Sequence, residues 1–213
     1  MKSGEKRANS NRPEAKNGDP KSADSKGGGV RGAGLRLVSP AEFRSRYESL
    51  RAQIEAVLDA DEPCALVGIK RGGAVLARRL WKDLAPSDKS LEYGELDISF
   101  YRDDYHLKQG SPRVLGTEIT FPVEGRGIVL IDDVLFTGRT VRAAIDQLLD
   151  FGRPRRIWLG VLIDRGHREL PISADFVGQT VETGLRDRVI VTLRELGDAD
   201  DAVDLVPAAE AAG

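Results

Sequence analysis

Ile128-Val129-Leu130-Ile131-Asp132-Asp133-Val134-Leu135-Phe136-Thr137-Gly138-Arg139-Thr140 is the stretch from which the rest of the 213-residue chain can be read. Its first four residues are apolar and mostly β-branched, the pattern of a strand buried on both faces. Two carboxylates follow, then a short loop with hydroxyl side chains. From Val141 the apolar period changes: Val141, Ala144, Ile145, Leu148 and Leu149 fall on one helical face. Strand, acidic pair, Thr-Gly-Arg-Thr and helix together predict a phosphate cradle. Backbone N–H groups and the positive end of the helix dipole attract an anion there, and Thr137 and Thr140 add hydroxyl donors. Gly138 lets the backbone come close to the ligand. Because the acids precede the loop, they lie beside the phosphate, where they accept from ribose hydroxyls and stabilise positive charge on a sugar ring. A 5-phosphorylated ribose fits this better than a polyphosphate tail, and the chain has no Gly-x-x-x-x-Gly-Lys-Ser/Thr run. The alternative is an ordinary strand–helix turn whose acids only cap the helix.

Working outward, Cys64 to Ile69 reads as a second buried strand, followed by Lys70-Arg71-Gly72-Gly73 and a helix from Ala74 to Trp81. A basic, Gly-rich strand–helix loop suits a leaving pyrophosphate; a plain turn is the bland alternative. Downstream, the helix after Thr140 stops at Phe151-Gly152 with Pro154 beyond. Ile157 to Ile163 is another buried strand, running into Asp164-Arg165-Gly166-His167-Arg168-Glu169-Leu170-Pro171. Ala174–Gly178 and Val189–Leu193 are expected to complete the sheet. Upstream, folding is expected to start at Leu35-Arg36-Leu37-Val38. Ser39-Pro40 with Glu42 reads as a capping box opening a helix through about Leu58, its inward face Phe43, Tyr47, Leu50, Ile54, Val57 and Leu58. Glu95 to Tyr101 alternates as a strand, and Thr117 to Phe121 reads as its returning partner. The polar stretch between them, Arg102 to Gly116, is either disordered or a lid. Strands alternating with helices predict an α/β domain, a mostly parallel central sheet flanked by helices, with ligands at the carboxyl ends of the strands. The domain spans 35–196, between a net-basic tail at 1–34, read as disordered, and a small, acidic tail at 197–213, read as frayed.

Composition narrows the classes. The chain is 40% hydrophobic and 6% aromatic, enough for a sizeable core, and a net charge of −2 argues against a protein basic throughout. One cysteine and two histidines make a structural zinc site improbable, and Cys64 reads as a small core residue. No apolar run approaches the roughly 20 residues of a membrane span. The basic N-terminus lacks the apolar core of a secretory signal, so a cytoplasmic location is expected.

The central run resembles the phosphoribosyl-pyrophosphate (PRPP) signature of type I phosphoribosyltransferases. From about Leu35 to Leu196 the chain is most similar to the bifunctional pyrimidine operon regulators with uracil phosphoribosyltransferase activity, the PyrR family. The matching residues are Gly68-Ile69-Lys70, Asp97-Ile98 with Tyr101-Arg102-Asp103-Asp104, Asp132 through Arg142, Gly152-Arg153-Pro154, and Val161 through Ile172. This resemblance implies a type I phosphoribosyltransferase fold with a small hood and a flexible β-hairpin lid. It implies conversion of uracil and PRPP to UMP and pyrophosphate with Mg²⁺, and binding of pyrimidine-operon leader mRNA in response to the uridine nucleotides UMP and UTP. It also implies a homodimer or higher homo-oligomer, with no membrane partner. Asp132 and Asp133 would be catalytic, facing an oxocarbenium-like ribose and touching Mg²⁺ only through PRPP, with Arg102 reaching in from the lid. PRPP would lie along Val129, Leu130, Ile131, Asp132, Asp133, Val134, Leu135, Phe136, Thr137, Gly138, Arg139 and Thr140. Lys70, Arg71, Gly72 and Gly73 would form the pyrophosphate loop. Uracil would lie near Val134, Ile163, Asp164 and Arg165, Asp164–Arg165 being otherwise a local ion pair. Arg142, Arg153, Arg155 and Arg156 would contact RNA phosphates; the last three otherwise offset a helix C-terminus.

Two departures stand out. The family commonly reads Lys-Thr-Arg-Gly where this chain has Lys70-Arg71-Gly72-Gly73, so the arginine is shifted by one. The first helix carries Glu42, Glu48 and Glu55 among Arg44, Arg46 and Arg51, a mixed surface for RNA. A purine (hypoxanthine-guanine) phosphoribosyltransferase is the other enzyme reading; that family usually has an Asp where this chain has Phe136, which cannot move a proton. A nucleotide-sensing RNA regulator with little catalysis is the reading outside enzymes.

Overall fold

The structure is a computed structural model and describes residues 34–58, 62–87, 90–98 and 116–208. Five strands form one parallel sheet in the order β3-β2-β4-β5-β6: β2 Cys64–Ile69, β3 Glu92–Leu96, β4 Gly127–Leu135, β5 Arg156–Asp164 and β6 Phe176–Thr180. The run that opened the sequence reading is the central strand. Its alternate residues serve two cores. Val129 and Ile131 pack with Phe43, Leu50 and Ile54 of α1 (Pro40–Glu55) and Leu76 and Leu80 of α2 (Gly72–Leu84). Ile128 and Leu130 pack on the other face with Val141, Ala144 and Leu148 of α3 (Arg139–Leu149). All four strand residues are fully buried, each stabilising the fold by about 2 kcal/mol. Cys64 lies in the first core. No helix among the described residues is long and apolar enough to cross a membrane.

The start of α1 follows the sequence closely. Ser39 Oγ accepts from the Glu42 N–H at 3.4 Å, and the Glu42 carboxylate accepts from the Ser39 N–H at 2.9 Å, with Pro40 in the first turn. The helix ends at Glu55 rather than Leu58. Val57 and Leu58 follow in tighter turns, bonding back three residues, and still pack on the core.

Three boundaries differ more. The acids lie inside β4, because β5 continues beside them as far as Asp164: Asp132 pairs with Val161, and Leu135 with Asp164. The Val189–Leu193 stretch does not complete the main sheet. As β7 (Arg188–Thr192) it joins a separate antiparallel sheet, β1-β8-β7, with β1 at Leu35–Val38 and β8 at Ala202–Val206; this is the hood. The acidic segment from 197 to 208 is therefore not a frayed tail. Val203 is fully buried, and the acids are used: Asp198 caps Leu193 N–H, Asp201 pairs with Arg79, and Asp204 with Arg36.

β3 begins three residues earlier than its alternation suggested, and Thr117–Phe121 adds a single bridge, Glu118 to Glu95, rather than a strand. Thr117 Oγ1 accepts from the Asp97 N–H at 3.0 Å and from Gln147 Nε2 of α3 at 2.9 Å. All of the expected lid but Gly116, with Ser99 to Tyr101, lies outside the described residues, as do the tails at 1–33 and 209–213.

Candidate active site

At the carboxyl end of β4 the two acids turn to opposite faces of the strand. Asp132, on the face of Ile128 and Leu130, is buried at 6% exposure and lines a pocket of about 250 Å³ with Val134, Phe136, Thr137, Arg139 and Thr140. Its Oδ1 accepts from the Asp133 N–H at 3.0 Å. Burial, and then the neighbouring Asp133 carboxylate, push the Asp132 carboxyl well above the ordinary carboxylate range. No basic side chain among the described residues pairs with either acid. Asp133 instead faces the first turn of α2, where a Cβ on Gly72 would come within 2.2 Å of its Oδ2.

The loop expected between β4 and α3 is formed. Gly138 precedes α3 with φ +90, in the left-handed region, and offers no side chain to cap the first turn of the helix. The Arg139 N–H donates to Thr137 Oγ1 at 3.4 Å, and the Thr140 and Val141 N–H groups of the first turn are left to serve an anion at the end of the pocket. Val129, Leu130 and Ile131 do not reach that pocket. They are core residues that carry the loop, because a central strand buries both of its faces.

The second loop differs from its sequence reading. Gly72 and Gly73 are built into α2, and a Cβ on Gly73 would meet the Ile131 carbonyl oxygen at 2.3 Å. In this backbone arrangement a side chain at 72 would collide with Asp133. Lys70 and Arg71 line a neighbouring cleft, not the pocket of Asp132 and Thr137. Lys70 Nζ donates to the Gly116 carbonyl and lies 3.5 Å from Glu95. Arg102 lies outside the described residues.

Comparison with known proteins agrees with this geometry. Residues 46–191 match the phosphoribosyl transferase domain family. The chain is 46% identical to the bifunctional protein PyrR of Chloroflexus aurantiacus over 171 residues, covering 80% of this chain and 94% of that one. It is 52% identical to the bifunctional protein PyrR of Roseiflexus sp. over 143 residues, 67% of this chain and 78% of that one. The chain belongs to the PyrR family of phosphoribosyltransferases. Among solved structures, a hypoxanthine phosphoribosyltransferase of Staphylococcus aureus aligns with TM-score 0.59 at 21% identity, covering 81% of this chain and 90% of that one. An HGPRT-ase of Leishmania tarentolae in complex with GMP gives 0.57 at 17% identity, covering 83% and 96%. At that identity the likeness concerns the fold alone.

Around this phosphoribosyltransferase pocket the residues expected to meet uracil take different parts. Val134 and Phe136 line it. The Ile163 side chain is fully buried, in the same core as its neighbour Leu162. Asp164 does not pair with Arg165; its carboxylate takes Arg168 Nη2 at 2.5 Å and the Gly166 N–H at 2.9 Å. Arg165 is buried and donates to the carbonyls of Gly184 and Asp187 at 2.8 and 2.7 Å and to Thr183 Oγ1 at 3.2 Å. Its guanidinium lies 4.2 Å from the Phe136 ring centroid, and burial draws its pKa below the ordinary arginine value. Arg165 thus supports Phe136 rather than presenting a free donor to a base.

The sequence reading assigned no role to Arg168, which ties down the phosphate loop. Its guanidinium donates to the carbonyls of Phe136, Gly166 and Ile172 at 2.8 to 3.0 Å. The Glu169 and Leu170 N–H groups both reach the Thr137 carbonyl, and Arg139 pairs with Glu169 at 2.6 Å. The only sequence signal for this clamp is position: a polar run directly after the strand that neighbours β4.

The four arginines expected at RNA do not form one patch. Arg142 is in the first turn of α3 and pairs with Asp146 at 2.7 Å. Arg153, Arg155 and Arg156 lie beyond the other end of that helix, whose length is about 16 Å. Arg155 pairs with Glu62, and Arg156 stacks 4.8 Å from the Trp158 ring centroid.

Proposed function

We propose that the protein transfers the phosphoribosyl group of PRPP to uracil, giving UMP and pyrophosphate, and that it binds pyrimidine-operon leader RNA in response to uridine nucleotides. The observation that carries the enzyme reading is the pocket where Asp132 and the Thr137–Thr140 cradle meet, in a chain 46–52% identical to proteins named bifunctional PyrR. In transfer, the bond from the ribose C1 to the pyrophosphate oxygen breaks, uracil N1 bonds to C1, and N1 loses its proton. The cradle holds the 5-phosphate through α3 N–H groups and the threonine hydroxyls. Asp132 and Asp133 stabilise the positive charge that develops on the ribose from the two faces of the strand end. Lys70 and Arg71 neutralise the departing pyrophosphate, for which they leave the neighbouring cleft.

The acid pair suits a Mg²⁺ ion that arrives with PRPP. The two acids, on opposite faces of the strand, would meet it only through the ribose oxygens of PRPP, and no group of three metal-ligating side chains stands among the described residues, so substrate and water oxygens would supply its shell. Such an ion would offset negative charge on the pyrophosphate.

Phe136 favours a pyrimidine over a purine. It offers no proton acceptor to a purine ring nitrogen, and its ring, backed by Arg165, gives a flat apolar surface at the pocket. The RNA part rests on family membership, since the four arginines are divided between two ends of α3. The deciding experiment incubates the protein with PRPP, Mg²⁺ and each free base. UMP from uracil is expected; nucleotide from hypoxanthine or guanine with none from uracil would reverse the assignment.

A further inference from the structure

On the outer side of α2, a cleft of about 360 Å³ opens between that helix, the end of β3 and the turn Arg194–Leu196. Positions 71, 75, 78 and 82 follow one another at four, three and four residues, a single stripe of the helix. Ala74, Val75 and Leu196 give the cleft an apolar floor. Around the floor stand five cations, Lys70, Arg71, Arg78, Arg79 and Lys82, against two lining carboxylates, Glu95 and Glu195. Glu95 serves both Arg78, at 2.5 Å, and Lys70, at 3.5 Å. Arg79 is taken by Glu195 and by Asp201. Arg71 and Lys82 pair with no carboxylate among the described residues. A chain of net charge −2 therefore concentrates positive charge here, beside a surface on which an apolar ring can lie.

We propose that this cleft is a second anion site, separate from the PRPP pocket, and that it takes an oligophosphate chain of the kind carried by nucleoside triphosphates. Its phosphates bridge Arg71 and Lys82 and compete with Glu95 for Lys70 and Arg78. Occupation holds Lys70 and Arg71 in the cleft and away from a departing pyrophosphate, so turnover falls. The effect on turnover rests on the transferase reading; the binding does not.

Calorimetric titration of the full chain, at 0.15 M salt with PRPP and Mg²⁺ saturating the substrate pocket, tests this with ATP and with inorganic tripolyphosphate as probes. One further equivalent is expected to bind. Lys82→Glu and Arg78→Gln should each weaken it by about tenfold, and Lys82→Glu should leave turnover without added anion unchanged. Tighter binding of ATP than of tripolyphosphate would assign the site to a nucleotide using the apolar floor; equal binding would assign it to the phosphate chain alone. In the wild type, inhibition by the bound anion should persist at any PRPP concentration. The proposal is overturned if binding disappears once PRPP saturates, if Lys82→Glu binds as tightly as the wild type, or if a structured RNA binds while neither small anion does. Binding as described by a protein that forms no UMP would leave the anion site standing and refute the transferase reading instead.

Discussion

Loop 136–140 after β4 and loop 70–73 after β2 stand at the same edge of one sheet, yet the first is held from outside and the second from within. The phosphate loop takes its shape from a neighbouring segment: Arg168 gathers three carbonyls, and the Glu169 and Leu170 N–H groups meet Thr137. The basic loop has no arginine gathering its carbonyls among the described residues; only Lys70 reaches out, its N–H to the Leu96 carbonyl and its Nζ to the Gly116 carbonyl. It is fixed by lack of space, with Gly72 against Asp133 and Gly73 against the Ile131 carbonyl, while its cations turn to another cleft. Under the function proposed above, the difference separates two tasks: the site for the group that stays bound is preformed, and the charges that serve the leaving group stand apart from it.

Substitutions can break this contrast. Asp133→Asn, at the contact between β4 and the basic loop, removes a carboxylate charge on which the proposed transfer relies and nearly preserves shape. Turnover should fall roughly a hundred- to thousandfold with an unchanged melting temperature. Near-normal turnover would leave the pair as structural caps only.

Gly72→Ala places a methyl group on the Asp133 carboxylate. Something must shift, so we expect about 2 kcal/mol lost in chemical denaturation and about a hundredfold loss of transfer from a displaced acid. A variant of wild-type stability and rate would show that the loop is not held by space.

Arg168→Ala tests the clamp. It removes the donor to three carbonyls and leaves Asp164 without its partner, so KM for PRPP should rise about tenfold while kcat changes little. Arg168→Lys, unable to span the same acceptors, should recover only part of the loss. A fall in kcat with unchanged KM would place Arg168 in the chemical step instead.

Phe136→Leu is the mildest change. It keeps the pocket apolar and removes the ring that Arg165 backs, so KM for uracil should rise about threefold with PRPP affinity untouched. An introduced carboxylate would be less informative, because Arg165 beside it would neutralise the new charge.

The parts legible in the sequence are those governed by local pattern. The apolar runs of β2, β4 and β5, the capping box of Ser39 and Glu42, and the glycine before α3 each announce themselves within a few residues. What escaped depends on distant partners. β8 offers only Ala202, Val203, Leu205 and Val206 among aspartates, and becomes a strand because β1, nearly the whole domain away in sequence, lies beside it. The opposite orientation of Asp132 and Asp133 follows from β4 continuing as a strand, which is set by the length of β5. Arg165 reads as a free donor until the carbonyls of Gly184 and Asp187 are seen around it.

Thr117 has a consequence for how the domain tolerates change. By accepting from Asp97 N–H and Gln147 Nε2 it fastens together two chain positions twenty residues apart, and the Glu95–Glu118 bridge adds a second stitch just behind. Loop closure costs only about 0.6 kcal/mol per doubling of length, so exchanging residues 99–115 for a short Gly-Ser tether should leave the melting temperature nearly unaltered while transfer is lost. Thr117 and Glu118 thus act as a clasp that keeps the sheet edge closed whatever length of chain is spliced in before them.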